Sequence, residues 1–87
     1  MTLRMVETVY EEIDKELERA QALYPHWPDS LVEATAIVCE EAGEALKEAL
    51  NLRPCERPGK GNIQKLRMEL IQTATMAVRA LINLEAK

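Results

Sequence analysis

Leu3, Val6, Val9, Tyr10, Ile13, Leu17, Ala20 and Leu23 recur at three- and four-residue intervals, the spacing of one helix face. Glu11, Glu12, Lys15, Glu16 and Arg19 fill the opposite face. The stretch YPHWPD ends this first helix, because each proline disfavours helix in the residue before it. Ser30, with Glu33 three residues on, has the spacing of a capping box and opens a second helix running to about Asn51 or Leu52. The break RPCERPGKGN follows, and Asn62 is the N-cap of a third helix reaching Leu84. The β-branched residues never alternate over a useful length, so no strand is expected.

The third helix differs from the other two. Leu66, Leu70, Ile71, Ala74, Met76, Ala77, Val78, Leu81, Ile82 and Leu84 wrap most of its circumference. A helix apolar on nearly all sides is buried on several. Two further helices are too few to cover it, which predicts self-association with the third helix at a subunit interface. The expected fold is all-α: a single domain over residues 1–87 with three antiparallel helices per chain, completing a four-helix-type bundle as a homodimer or homotetramer. Met5, Met68 and Met76 read as core or interface filler. Arg79 falls on the outer side of a mainly apolar stretch, where a second subunit could pair with it.

Composition narrows the functional classes. The 87 residues carry a net charge of −4 and lack a basic stripe, which speaks against nucleic acid as a partner. The longest uncharged run, LIQTATMAV, is far shorter than the ~20 apolar residues of a membrane span. Cys39 and Cys55 form neither a CxxC pair nor a disulfide framework and read as free thiols. MTLRMVETVYEE carries acids where a secretory signal needs an apolar core. No membrane association and a reducing, cytoplasmic location are expected.

Glu41, Glu44 and Glu48 fall within roughly 60° of one another on the second helix, with Glu40 and Glu33 just beyond. They border the apolar stripe of Leu31, Val38 and Ala49. Glu69 sits in the same way between Leu66 and Met76 on the third helix. In an antiparallel pair, Glu41, Glu44 and Glu69 would converge across one groove. Unpaired carboxylates there would be costly or would take up protons. A hard divalent cation, Mg²⁺ or alternatively Mn²⁺, resolves that conflict. The other reading, solvated glutamates with Lys47 near them, stays open. His26 stands alone in a proline turn, read as a structural hydrogen-bonding residue, and Glu-x-x-His is missing, which argues against a di-iron bundle.

EEAGE, Glu40 to Glu44, followed after a loop by ELIQ, Glu69 to Gln72, resembles the EExxE…ExxD signature of the all-α nucleoside triphosphate pyrophosphohydrolases, the MazG-like group. The likeness spans about residues 25 to 84. It implies a helical oligomer that uses Mg²⁺ to split NTPs or dNTPs into monophosphate and pyrophosphate. It further implies that Glu41, Glu44 and Glu69 are metal ligands and that Glu40 orients the attacking water. Gln72 stands where the family has Asp. Its amide oxygen is a weaker ligand without charge, and it is no base at neutral pH. The alternative is therefore a catalytically impaired nucleotide-binding or regulatory protein on the same fold; a third is a plain structural bundle. Lys65 and Arg67 are candidate phosphate contacts, joined by Lys60, Arg53 and Arg57 in the break; a solvated basic loop and helix start read equally well. Trp27 is either a platform for a base or, preferentially, a plug at the end of the bundle.

Overall fold

A computed structural model describes residues 1–52 and 62–87. Among these residues there are three helices and no strand: α1 (Leu3–Leu23), α2 (Leu31–Asn51) and α3 (Ile63–Glu85). Each starts where the sequence offers a side chain for an orphan amide. Thr2 Oγ1 accepts from the Met5 amide at 3.2 Å, Ser30 Oγ from the Glu33 amide at 3.2 Å, and Asn62 Oδ1 from the Gln64 amide at 2.8 Å. Pro25 and Pro28 separate α1 from α2, and the segment between α2 and α3 lies outside the described residues.

Two long-range contacts within the chain fix the direction of α1 relative to α3. Arg67 pairs with Glu12, and Arg79 donates to the Tyr24 carbonyl, both at a sequence offset of 55, so α1 and α3 run parallel. Against α2 the register reverses. Glu41 and Glu44 meet Glu69, while the Lys87 ammonium donates to the Asp29 carbonyl at 2.8 Å, so α2 and α3 are antiparallel. Successive helices therefore alternate in direction, but the layout is layered. Helix α3 packs on both α1 and α2, which do not pack on each other. This explains the wide apolar circumference of α3: it is the central layer.

The most deeply buried residues are mostly small. The buried apolar side chains are Ala20, Ala34 and Ala45, and Thr75 is fully buried with its hydroxyl turned back to the Ile71 carbonyl. Burying a methyl supplies only ~0.8 kcal/mol, so these alanines contribute proximity more than stability. Ile13, Leu17, Ile37, Leu66 and Ile71 are half-buried, whereas Leu46 is 60% exposed, Leu70 53% and Leu81 58%. The radius of gyration is 14.8 Å, against about 12 Å for a compact domain of this length. No helix among the described residues is long and apolar enough to cross a membrane.

Candidate metal centre and adjoining cleft

Ala34, Glu41 and Ala45 share one stripe of α2, since steps of seven and four residues return to nearly the same helix face. That stripe faces α3, and the two alanines let the helices come close. Glu41 is thereby carried into the interhelical groove, half-buried. Glu44, one turn on, stays exposed at the rim, and Glu69 enters half-buried from α3. Each offers one carboxylate oxygen, and the three oxygens lie within 4.8 Å of one another. The convergence expected from the two acidic half-motifs is present.

The electrostatics are unfavourable without a counter-charge. Burial, reinforced by Glu44, Glu40 and Glu16, pushes the Glu41 carboxyl above the ordinary 4.5. Glu69 is also raised, first by burial, then by the neighbouring Glu44 carboxylate within hydrogen-bonding reach, and by Glu41 and Glu48. Glu41 Oε2 and Glu69 Oε2 are buried and have no hydrogen-bond partner. Unpartnered buried carboxylate oxygens are rare in proteins, because their desolvation is left uncompensated. Three hard oxygen donors with two unused, buried lone-pair sets fit a divalent cation such as Mg²⁺.

Beside the trio opens a cleft of about 380 Å³ between all three helices and the α1–α2 turn, with Glu41 and Gln72 on its wall. Trp27 and Arg79 also line it. Arg79 is only 4% exposed. The expectation of an outward Arg79 reaching another subunit is corrected here: its guanidinium donates to the Tyr24 carbonyl at 2.6 Å and sits 4.8 Å from the centre of the Trp27 ring. The cause is the end of α1. Tyr24 leaves its carbonyl unpaired by the helix and turned toward α3, and a long cationic side chain reaches it. Burial lowers the pKa of Arg79.

The other sequence candidates are distributed around this centre. Glu40 is exposed on α2 next to Glu41. Gln72 is half-buried and borders two clefts, the one above and a second of about 540 Å³ on the α1 side. Lys65 is exposed on the first turns of α3. Arg67 is engaged by Glu12, Nη2 donating to Oε1 at 2.8 Å, which holds Glu12 below the ordinary glutamate value. Lys60, Arg53, Arg57 and Cys55 lie outside the described residues. Trp27 has one ring face taken by Arg79, and Cys39 is an exposed free thiol.

Sequence reasoning missed the contribution of α1. Glu16 borders both clefts and adds to the field at Glu41, and its own carboxyl is held low by the Arg19 fork. Periodicity assigned both residues to the solvated face, and nothing local to α1 reports what α3 brings near. Arg79 was legible in principle: it stands seven residues after Gln72, almost on the same helix face.

No family model, curated protein or solved structure matches the chain.

Proposed function

We propose that the protein is a Mg²⁺-dependent nucleotide pyrophosphohydrolase of the MazG-like kind, converting an NTP or dNTP and water into the monophosphate and pyrophosphate. The observation that carries this reading is the trio of Glu41, Glu44 and Glu69, one oxygen from each lying within 4.8 Å of the others, together with the buried and unpartnered Oε2 atoms of Glu41 and Glu69. These three residues would hold the cation. When bound, it would offset charge on phosphate oxygens and favour ionisation of water. Glu40, exposed beside Glu41, is suited to orient the attacking water. Lys65 is suited to attract the triphosphate tail, and the cleft beside Glu41 offers about 380 Å³ for the substrate. The acidic trio thus supports binding of an equally acidic substrate, through a shared cation.

Gln72 favours a second reading, a nucleotide-binding protein with impaired turnover. It borders the cleft next to Glu41, yet it supplies an amide where the family pattern has a carboxylate.

Assembly into a homodimer or homotetramer belongs to the same proposal. The accessible surface is 6743 Å², whereas a compact monomer of this mass exposes roughly 5200 Å². The excess exceeds the ~800 Å² that each partner buries in a standard interface. Leu31, Leu46, Leu50, Leu70, Leu81 and Leu84 are all at least 45% exposed, a supply of apolar surface suited to that contact.

The decisive experiment follows pyrophosphate release from a panel of NTPs and dNTPs with Mg²⁺. Release that Glu41→Gln abolishes supports the enzyme. Nucleotide binding without release supports the second reading, and neither binding nor release removes both. Sedimentation at micromolar concentration tests assembly: a clean monomer contradicts it.

A further inference from the structure

The most deeply buried charge among the described residues is Arg79, which the trio does not use. Its guanidinium has five N–H donors. One nitrogen serves the Tyr24 carbonyl, the Trp27 ring covers one side of its plane, and Nε has no hydrogen-bond partner. No Asp or Glu among the described residues makes an ion pair with it. A buried guanidinium without a counter-anion carries its desolvation uncompensated. It borders the same cleft as Glu41, so an anion placed there would complete it.

We propose that Arg79 is the anchor of an oxyanion subsite in this cleft, and that the subsite takes a phosphoryl group. The planar fork of arginine matches the tetrahedral edge of a phosphate, and charge-assisted bonds of that type are the stronger class. The Glu41 wall repels a lone anion and favours one that arrives with a cation. A cleft lined both by Arg79 and by Glu41, one member of the carboxylate trio, selects ligands that carry both an anion and a cation. Trp27, with one ring face given to Arg79, acts here as the support of the guanidinium and reports on it.

This deepens the proposed function by assigning its phosphate end, and rests on that reading only for which phosphate compound fills the subsite. The test accordingly reads anion binding directly, with and without Mg²⁺, so that failure of anion binding and failure of turnover are read separately. Inorganic phosphate, pyrophosphate, a nucleoside monophosphate and the bare nucleoside are titrated into the whole protein at constant ionic strength. Two signals are followed: the fluorescence of Trp27, the single tryptophan of the chain, and the Nε–H resonance of Arg79 in ¹⁵N NMR. Saturable changes in both with the phosphate compounds, absent with chloride and with the nucleoside, are expected. Arg79→Met should weaken pyrophosphate by about 10- to 100-fold, the equivalent of one or two charge-assisted bonds, and Arg79→Lys should retain part of it. Tighter binding of the nucleoside monophosphate than of free phosphate identifies a phosphate ester as the ligand; equal binding identifies the free ion. An unmoved Arg79 resonance in the wild type, or equal affinity in Arg79→Met, overturns the subsite. Should Arg79→Met not fold, the wild-type resonance decides alone.

Discussion

Glu69→Gln should stabilise the metal-free protein and remove most of its response to Mg²⁺. The substitution keeps size and shape and deletes one charge. Glu69 presents an oxygen within 4.8 Å of both Glu41 and Glu44. Two unit charges at that distance repel by about 0.9 kcal/mol in water and about 3.5 kcal/mol at an effective dielectric of 20. The groove is half open, so the lower part of that range applies to each of the two pairs. The net gain in mildly alkaline, metal-free, low-salt buffer is therefore about 1–2 kcal/mol. For a domain of this size 1 kcal/mol moves Tm by roughly 4–8 °C. With Mg²⁺ the order should invert. A ligand at a hundred times its Kd stabilises by about 2.7 kcal/mol, and the wild type alone keeps the full trio. The assay is thermal melting by circular dichroism, with EDTA and then with millimolar Mg²⁺, at one fixed chain concentration. A lower Tm for Glu69→Gln in EDTA, or equal Mg²⁺ shifts in both proteins, refutes the reasoning.

Three further outcomes are expected. The first concerns pH. Glu41 and Glu69 have folded values above the ordinary 4.5, so their stabilising contribution is complete below 4.5 and is lost as pH rises through the raised values. Glu12 and Glu16 are lowered, so theirs is present above 4.5 and is lost as pH falls through the lowered values. Metal-free denaturant midpoints should therefore decline from mildly acidic to neutral pH, and Mg²⁺ should cancel that decline; a rising metal-free profile contradicts the trio. Gln72→Asp should strengthen Mg²⁺ binding, read by calorimetry, and raise pyrophosphate release if Gln72 is what impairs it. Gly43→Ala should stabilise by about 0.5–1 kcal/mol, because the glycine lies inside α2 and a Cβ there meets nothing within 4 Å; an unchanged or lower denaturant midpoint would show that this face is covered by another chain.

The helices and their ends were readable from local chemistry alone. Caps, proline breaks and apolar period are written in neighbouring residues, and Thr2, Ser30 and Asn62 bond the amides that one turn of chain can reach. The meeting of Glu41, Glu44 and Glu69 was half legible. Helix period puts each acid at the border of an apolar stripe, and alternation of direction puts the stripes face to face, but the distance depends on how close the helices come. Ala34 and Ala45 set that approach, and small residues have no voice in a hydrophobic pattern beyond being apolar.

What only the tertiary structure decided is the part that lies between distant segments. Helix α3 is the central element, packing on both other helices while they do not pack on each other, because side-chain volumes and not periodicity choose among layouts of three helices. Glu16 enters the field of Glu41, and Arg79 turns inward to the end of α1 and the face of Trp27. A single apolar stripe says that a helix face is covered; it does not say by what. Charge partners are selected by distance in space, and residues 55 apart in the chain become neighbours only after the helices have packed.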